Sequence, residues 1–209
     1  MSRIYRSSNI INYKSDLEHL FTIKKSPVYM GVVKKKENQT SLFQDLSFYI
    51  SKSTGTVQIN PLLPLSVVYS REHGSGKIGK LWNQHHKNFA NFIKKKCTNH
   101  FFEIGSGHFQ LFEEILKSRK DILWTALEPN PQKIINSNKL KILRKFFTKK
   151  TKVFHNQTII HSHLLEHIYH PNIFLKNISS KMIKNQIMIF SVPNMYQMIK
   201  RGYMNALNF

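Results

Sequence analysis

Two acids, two glycines and a run of histidines carry the chemistry legible in this chain. Glu103 sits in the apolar run Phe101-Phe102-Glu103-Ile104, and Gly105-Ser106-Gly107 follows at once. Glu128 closes a second apolar run, Ile122 to Leu127, and lies 21 residues beyond Gly107. A ligand lying across a strand end needs the backbone to turn tightly and approach closely, which a Cβ would obstruct. A ribose offers two hydroxyl donors, and a carboxylate at the end of the next strand can accept both. The usual interval between such a loop and such an acid is ~20 residues. The pattern points to a βαβ unit that holds an adenosine-containing cofactor. A lone Gly-x-Gly would fit an ordinary strand turn equally well; the two acids and the strand context favour the cofactor. A dinucleotide loop needs a third glycine, which would fall at position 110, and Gln110 stands there.

His163, Glu166, His167 and His170 form the other cluster. Read as a helix from position 163, the chain places His163, His167 and His170 on one face. Imidazole and carboxylate are competent ligands for a divalent ion. A hydrogen-bonded pair capping the turn after a strand is the simpler reading, and no metal is assigned. An imidazole near its unperturbed pKa of ~6.5 can take a proton from a hydroxyl at neutral pH. His163 and His167 are therefore the candidate catalytic bases. His85, His86 and His100 lack a comparable setting and are assigned to helix faces or the surface.

The elements that must position these groups follow from pattern. Phe101–Ile104 reads as a buried strand, and Ile122–Leu127, Thr158–Ile160 and Ile187–Phe190 read as further strands. Phe109, Phe112, Ile115 and Leu116 give one helix face, and Pro171 opens another helix with Phe174, Leu175, Ile178, Met182 and Ile183. Residues 131–150 read as a short helix and then a strand within Leu140–Phe147. Apolar positions Ile78, Leu81, Trp82, Phe89, Phe92 and Ile93 keep helical spacing. Strands alternating with helices predict an α/β parallel sheet covered on both faces. Residues 1–68 read differently. Leu46–Ile50 and Thr56–Ile59 flank the turn-like Ser51-Lys52-Ser53-Thr54-Gly55 as a hairpin, and Val28-Tyr29-Met30 is a further short strand. Pro61 and Pro64 mark a linker. Gly74-Ser75-Gly76-Lys77 is not a phosphate loop, because Ile78 follows the lysine.

Composition bounds the rest. The 209 residues allow one ordinary domain and a small appendage, and 41% hydrophobic content supports a sizeable core. The net charge of +21 raises nucleic acid as a partner. The lysines are scattered, with Lys34–Lys36 far from Lys94–Lys96. Abundant Lys, Asn and Ile beside scarce Gly and Ala match an AT-rich composition, which is the favoured account. Cys97 is the only cysteine, so neither an internal disulfide nor a multi-cysteine zinc site is available. The absence of a signal-peptide pattern, and of any apolar run near the ~20 residues that span a bilayer, predicts a cytoplasmic protein without membrane insertion.

The segments Glu103-Ile104-Gly105-Ser106-Gly107, Leu127-Glu128-Pro129, His161–His167 and Ser191-Val192-Pro193-Asn194 resemble class I S-adenosylmethionine (SAM) dependent methyltransferases, from about Tyr69 onward. Within that class the chain looks like bacterial methyltransferases of polysaccharide and sugar-nucleotide gene clusters, including sugar C-methyltransferases. The resemblance implies a Rossmann-like sheet with SAM as cofactor. It implies methyl transfer to a small-molecule or glycan acceptor. Glu103 would support the loop and reach the methionine ammonium through hydrogen bonds. Gly105, Ser106 and Gly107 would line the methionine part. Glu128 would hold the ribose, with Pro129 beside the adenine. Ser162 and His163 would border the methyl group, and Tyr69 would close over the methionine end.

Three departures stand out. His108 and Phe109 occupy the region where many relatives carry a third glycine. Ser51 and Thr54 stand where a small zinc-binding module of sugar C-methyltransferases has cysteines, which implies a module without its metal, held by packing. The family continues with two more strands after the fifth, so the expected sheet lacks its last strands. An RNA methyltransferase and an inactive SAM-fold fragment or partner subunit are the alternatives. The oligomeric state is not legible.

Overall fold

A computed structural model of the chain describes residues 3–29, 42–68, 79–96 and 98–202. Tyr69, Cys97, Gly74–Lys77, Lys34–Lys36 and Met30 lie outside the described residues. The chain divides into two units, 1–75 with 194–209, and 76–193.

In the first unit, β1 (Leu17–Pro27) pairs antiparallel with β2 (Phe43–Ser51), and β2 with β3 (Val57–Ile59). The expected hairpin is present, and it turns at Gly55, whose φ of +68° suits a residue without Cβ. Strand β1 has no counterpart in the sequence reading. Its burial pattern is mostly exposed, so it lacks the apolar alternation that marks a half-buried strand. The strand expected at Val28 is not one: β1 ends at Pro27, and Val28 packs with Leu63 and Val68 beside α1 (Leu65–Val68). Where the resemblance places cysteines there is a hydrogen-bonded knot. Asp16 accepts from Ser51 Oγ and the Ser53 amide at 2.9 Å each, from Asn9 Nδ2 at 2.8 Å, and from Ser53 Oγ. These donors, the Ser53 hydroxyl first, hold the Asp16 carboxyl far below the usual carboxylate range.

In the second unit, α2 (Lys80–Lys94) precedes β4 (His100–Ile104), α3 (Gln110–Ser118), β5 (Leu123–Leu127), β6 (Leu140–Leu143), β7 (Thr158–Ser162), α4 (Pro171–Ser179) and β8 (Met188–Ser191). The sheet order is β6-β5-β4-β7-β8, with every pairing parallel. This is an α/β, doubly wound, Rossmann-like sheet. One face packs Phe101, Trp124 and Ile160 against Phe89 and Ile93 of α2 and Phe112 and Ile115 of α3. The other packs Phe102, Ile104, Leu127 and Ile159 against Phe174 and Ile178 of α4. Strands buried on both faces read as unbroken apolar runs, which is why β4, β5 and β7 were legible.

Several expectations need correction. No helix forms within 131–139, and the strand after it stops at Leu143, because Arg144 to Phe146 turn out into solvent. Leu81 and Phe92 lie on the exposed side of α2, since its 15 residues bury only the Phe89–Ala90–Ile93 stripe. Ile183, beyond the end of α4, is 48% exposed. The segment after β7 is not an α-helix from 163. It makes a left-handed residue at His163 (φ +50°) and then a single 3-10 turn, Leu165–His167, so the expected shared histidine face does not form. No helix among the described residues is long and apolar enough to cross a membrane. Helix α5 (Met195–Lys200) falls in the first unit and is capped by Asn194, whose side-chain oxygen accepts from the Gln197 amide.

Candidate functional site

In an open parallel sheet, ligands lie beyond the carboxyl ends of the strands, where the strand order reverses. Here the reversal falls between β4 and β7, and the predicted residues emerge there. Strand β4 ends in Ile104, and Gly105 continues its ladder by donating to Leu127 O at 2.9 Å. The chain then winds through three left-handed residues in five: Gly105 (φ +75°), Gly107 (φ +52°) and Phe109 (φ +58°). A side chain at Gly105 would bring its Cβ to 3.0 Å from Leu164 Cδ1, so the loop is closed from above by the segment after β7. Phe109 itself takes a left-handed turn. Such a backbone costs a non-glycine residue ~1–2 kcal/mol, and complete burial of the ring offsets it.

Glu128 follows β5 and is buried. Its Oε2 accepts from the Gly107 amide at 3.0 Å and its Oε1 from the Asn130 amide at 2.9 Å. Both oxygens keep a free lone pair, since a carboxylate offers about four acceptor sites. The carboxylate thus fixes the loop and can still accept ribose hydroxyls. Ser106 Oγ is buried without a hydrogen-bond partner, an orphan donor within the same loop. Pro129 is partly buried beside Glu128.

Glu103 is 3% exposed and accepts from Trp124 Nε1 at 3.0 Å. Burial, opposed by that hydrogen bond and reinforced by the Glu128 charge, pushes its carboxyl up to about 8. It lies on the sheet face that packs against α2 and α3, with the indole of β5 as its partner.

Beyond β7, Ser162 Oγ lies 2.8 Å from Ser191 Oγ at the end of β8. His85, on α2, brings Nε2 to 3.2 Å from Ser162 Oγ and 3.5 Å from Ser191 Oγ. The His163 ring meets those of His85 and Trp82 edge-on, with centroids 4.9 and 4.8 Å apart. Burial, aided by the neighbouring His163 and His86, lowers His85 to about 4, so it is neutral at pH 7. His163 is held in its left-handed conformation by donating its amide to Ser191 O at 3.0 Å, and its Nδ1 faces Glu166 Oε1 at 3.2 Å. His167 is exposed on the 3-10 turn. Among the described residues, no three His, Cys, Asp or Glu side chains gather as a metal site.

The structure thus brings Gly105, Ser106, Gly107, Glu128, Ser162 and His163 to the carboxyl ends of neighbouring strands, with Glu103 beneath the loop. His85 is the member that sequence reasoning assigned to a helix face. Its one signal was its place on α2, the helix that leads into β4.

No family model matches the chain, and no curated protein matches it. Among solved structures, the plantazolicin methyltransferase BpumL in complex with SAH superposes with a TM-score of 0.44 at 14% sequence identity. The same enzyme with a monoazolic desmethylPZN analog and SAH superposes equally, at 14% identity. Each match covers 61% of this chain and 52% of that one, so the chain spans about half the length of these neighbours.

Proposed function

We propose that the chain binds SAM at the Gly105–Gly107 loop and transfers its methyl group to a nucleophilic acceptor. The observation that carries this reading is the Glu128 carboxylate bonded to the Gly107 amide at the point of strand reversal, with lone pairs to spare for a ribose. The orphan Ser106 hydroxyl and the open space over Gly107 fit the same ligand. A dinucleotide fits less well, because Gln110 stands where its loop needs a third glycine.

When bound, SAM supplies an electrophilic methyl on a positively charged sulfur. The chain's own residues orient the pair. Glu128 and the loop fix the nucleoside end and Leu164 limits the space above Gly105. An acceptor hydroxyl would enter beside Ser162 and His163. His85 Nε2, uncharged at pH 7, can orient that hydroxyl through a hydrogen bond without placing a second cation near the sulfonium. Positioning in line supplies much of the rate in such a transfer. We assign the acceptor to the sugar nucleotides or polysaccharide precursors that the sequence resemblance implies, and the reaction to the cytoplasm.

Calorimetric titration of the purified chain with SAM tests the reading, with Glu128→Ala as the comparison. The expected result is saturable binding weakened at least tenfold in the variant, since hydrogen bonds to a charged group contribute ~1.5–3 kcal/mol. A folded wild-type chain that binds no SAM would overturn it.

A further inference from the structure

The second unit carries a groove that methyl transfer does not use. It is a cavity of about 440 Å³ between residues 150–155 and the segment that follows α4, lined by Lys150, Lys152, Phe154, His155 and Lys181 among others, with no acid in its lining. Its two walls are tied together. Lys181 Nζ donates to Lys149 O at 2.6 Å, and Gln186 Nε2 donates to Phe154 O at 3.1 Å and to Gln157 O at 2.8 Å. The Thr148 amide donates to Thr151 Oγ1 at 2.9 Å and pins the turn between them. The cations are therefore displayed on a fixed backbone.

One wall of the groove ends a stretch of sequence rich in cations and free of acids. Eight Lys or Arg fall between positions 133 and 152, and no acid occurs between Glu128 and Glu166. Elsewhere Lys24, Lys52 and Lys117 each pair with a carboxylate, and at the start of the run Lys133 pairs with Glu113. Lys150 and Lys152 face each other's field with no carboxylate in the groove to compensate. Phe154 stands among them 65% exposed. Cations that track a run of phosphates, beside an aromatic face on which a base can stack, are the two parts of a single-strand binding groove.

We propose that this groove binds the phosphate backbone of single-stranded RNA, with Phe154 stacked on a base. A duplex keeps its bases stacked and would leave Phe154 unused. A lipid surface is engaged by a helix with a continuous apolar face, and residues 144–157 form no helix. The proposal does not rest on SAM binding.

The test is fluorescence anisotropy of the full chain with a fluorescein-labelled, unstructured 20-nucleotide RNA across 50–250 mM KCl. Lys150→Gln with Lys152→Gln is compared with Lys95→Gln with Lys96→Gln, which removes the same charge beyond the end of α2, the helix on the opposite face of the sheet. The first pair should lower the salt slope by about 1.4, at ~0.7 per phosphate released, and the second should leave it unchanged. Phe154→Ala should weaken binding about fivefold or more, from ~1 kcal/mol of stacking. Glu128→Ala should bind RNA as the wild type does, which separates this proposal from the methyl-transfer reading. Equal losses from the two lysine pairs would reduce the effect to net charge and overturn the proposal. So would absence of RNA binding at 50 mM KCl, or tighter binding to phosphatidylserine vesicles than to RNA at equal phosphate.

Discussion

Glu103→Gln isolates the most strained electrostatic feature of the site. The wild-type carboxyl is fully enclosed, with one hydrogen bond from Trp124, and titrates at about 8 against an ordinary value of 4.5. The folded state therefore holds a proton that the unfolded chain releases. Such a group contributes its full stability below pH 4.5 and loses it as pH rises towards 8. Linkage between these two values gives a loss of about 1 kcal/mol by pH 5 and about 4 kcal/mol by pH 8. The amide oxygen of glutamine can still accept from Trp124, and its second N–H adds a cost that does not vary with pH. The variant's stability relative to the wild type should therefore climb by about 3 kcal/mol between pH 5 and pH 8, whatever its absolute offset.

Urea unfolding of both proteins at pH 5, 6, 7 and 8 reads this directly, because titrating groups not coupled to Glu103 cancel in the difference. Parallel pH profiles would refute the reasoning and mean that Glu103 is ionised in the folded state, with a partner other than Trp124. A residue that destabilises its own strand at neutral pH calls for a use, and a bound ammonium is one: a cation above the loop would favour the charged carboxylate.

Four further outcomes follow. If the methionine ammonium of SAM reaches Glu103 through the loop, SAM binding at pH 7 should release up to about one proton, seen as an enthalpy that varies with buffer ionisation heat; Glu103→Gln should abolish that variation. His161 is fully buried, stacked on Phe190 at 4.9 Å with neither ring nitrogen hydrogen-bonded, and burial lowers it to about 4. Its contribution is intact above pH 6.5 and falls with pH, by about 2 kcal/mol at pH 5, so His161→Phe should flatten the acid limb of a denaturation profile. Gly105→Ala should lower the melting temperature, because φ +75° and the 3.0 Å approach to Leu164 act together, at ~1–2 kcal/mol for the backbone alone. Adding Leu164→Ala should recover SAM affinity more than stability, since it clears the contact and leaves the strain. Asp16→Ala should loosen the first unit, read as faster amide exchange at Ser53, whose N–H would lose its acceptor.

What the sequence made legible was whatever local pattern determines. Strands β4, β5 and β7 are short runs of large apolar residues because parallel strands are buried on both faces, and the glycines and acids at their ends stand where the topology must place a ligand. Strand β1 escaped because an exposed strand in a small antiparallel sheet has no apolar alternation to reveal it. The helix expected from His163 failed for a different reason. Spacing alone cannot distinguish an α-helix from a left-handed residue followed by one 3-10 turn, and here the Ser191 carbonyl and Glu166 select the latter. The instructive miss is His85. It lies 77 residues before Ser162 and 106 before Ser191. Nothing near it in sequence marks it as more than one of several histidines on a helix. Only the parallel order β4-β7-β8, with α2 packed across it, turns those separations into distances of 3.2 and 3.5 Å. Motif residues that sit at strand ends inherit their positions from the local chain, whereas a residue carried in by a packed helix inherits its position from the core. Such a residue is therefore found by asking what the core brings over the strand ends. By that criterion His85, with two serine hydroxyls within reach, is the group that the packed helix adds to the site.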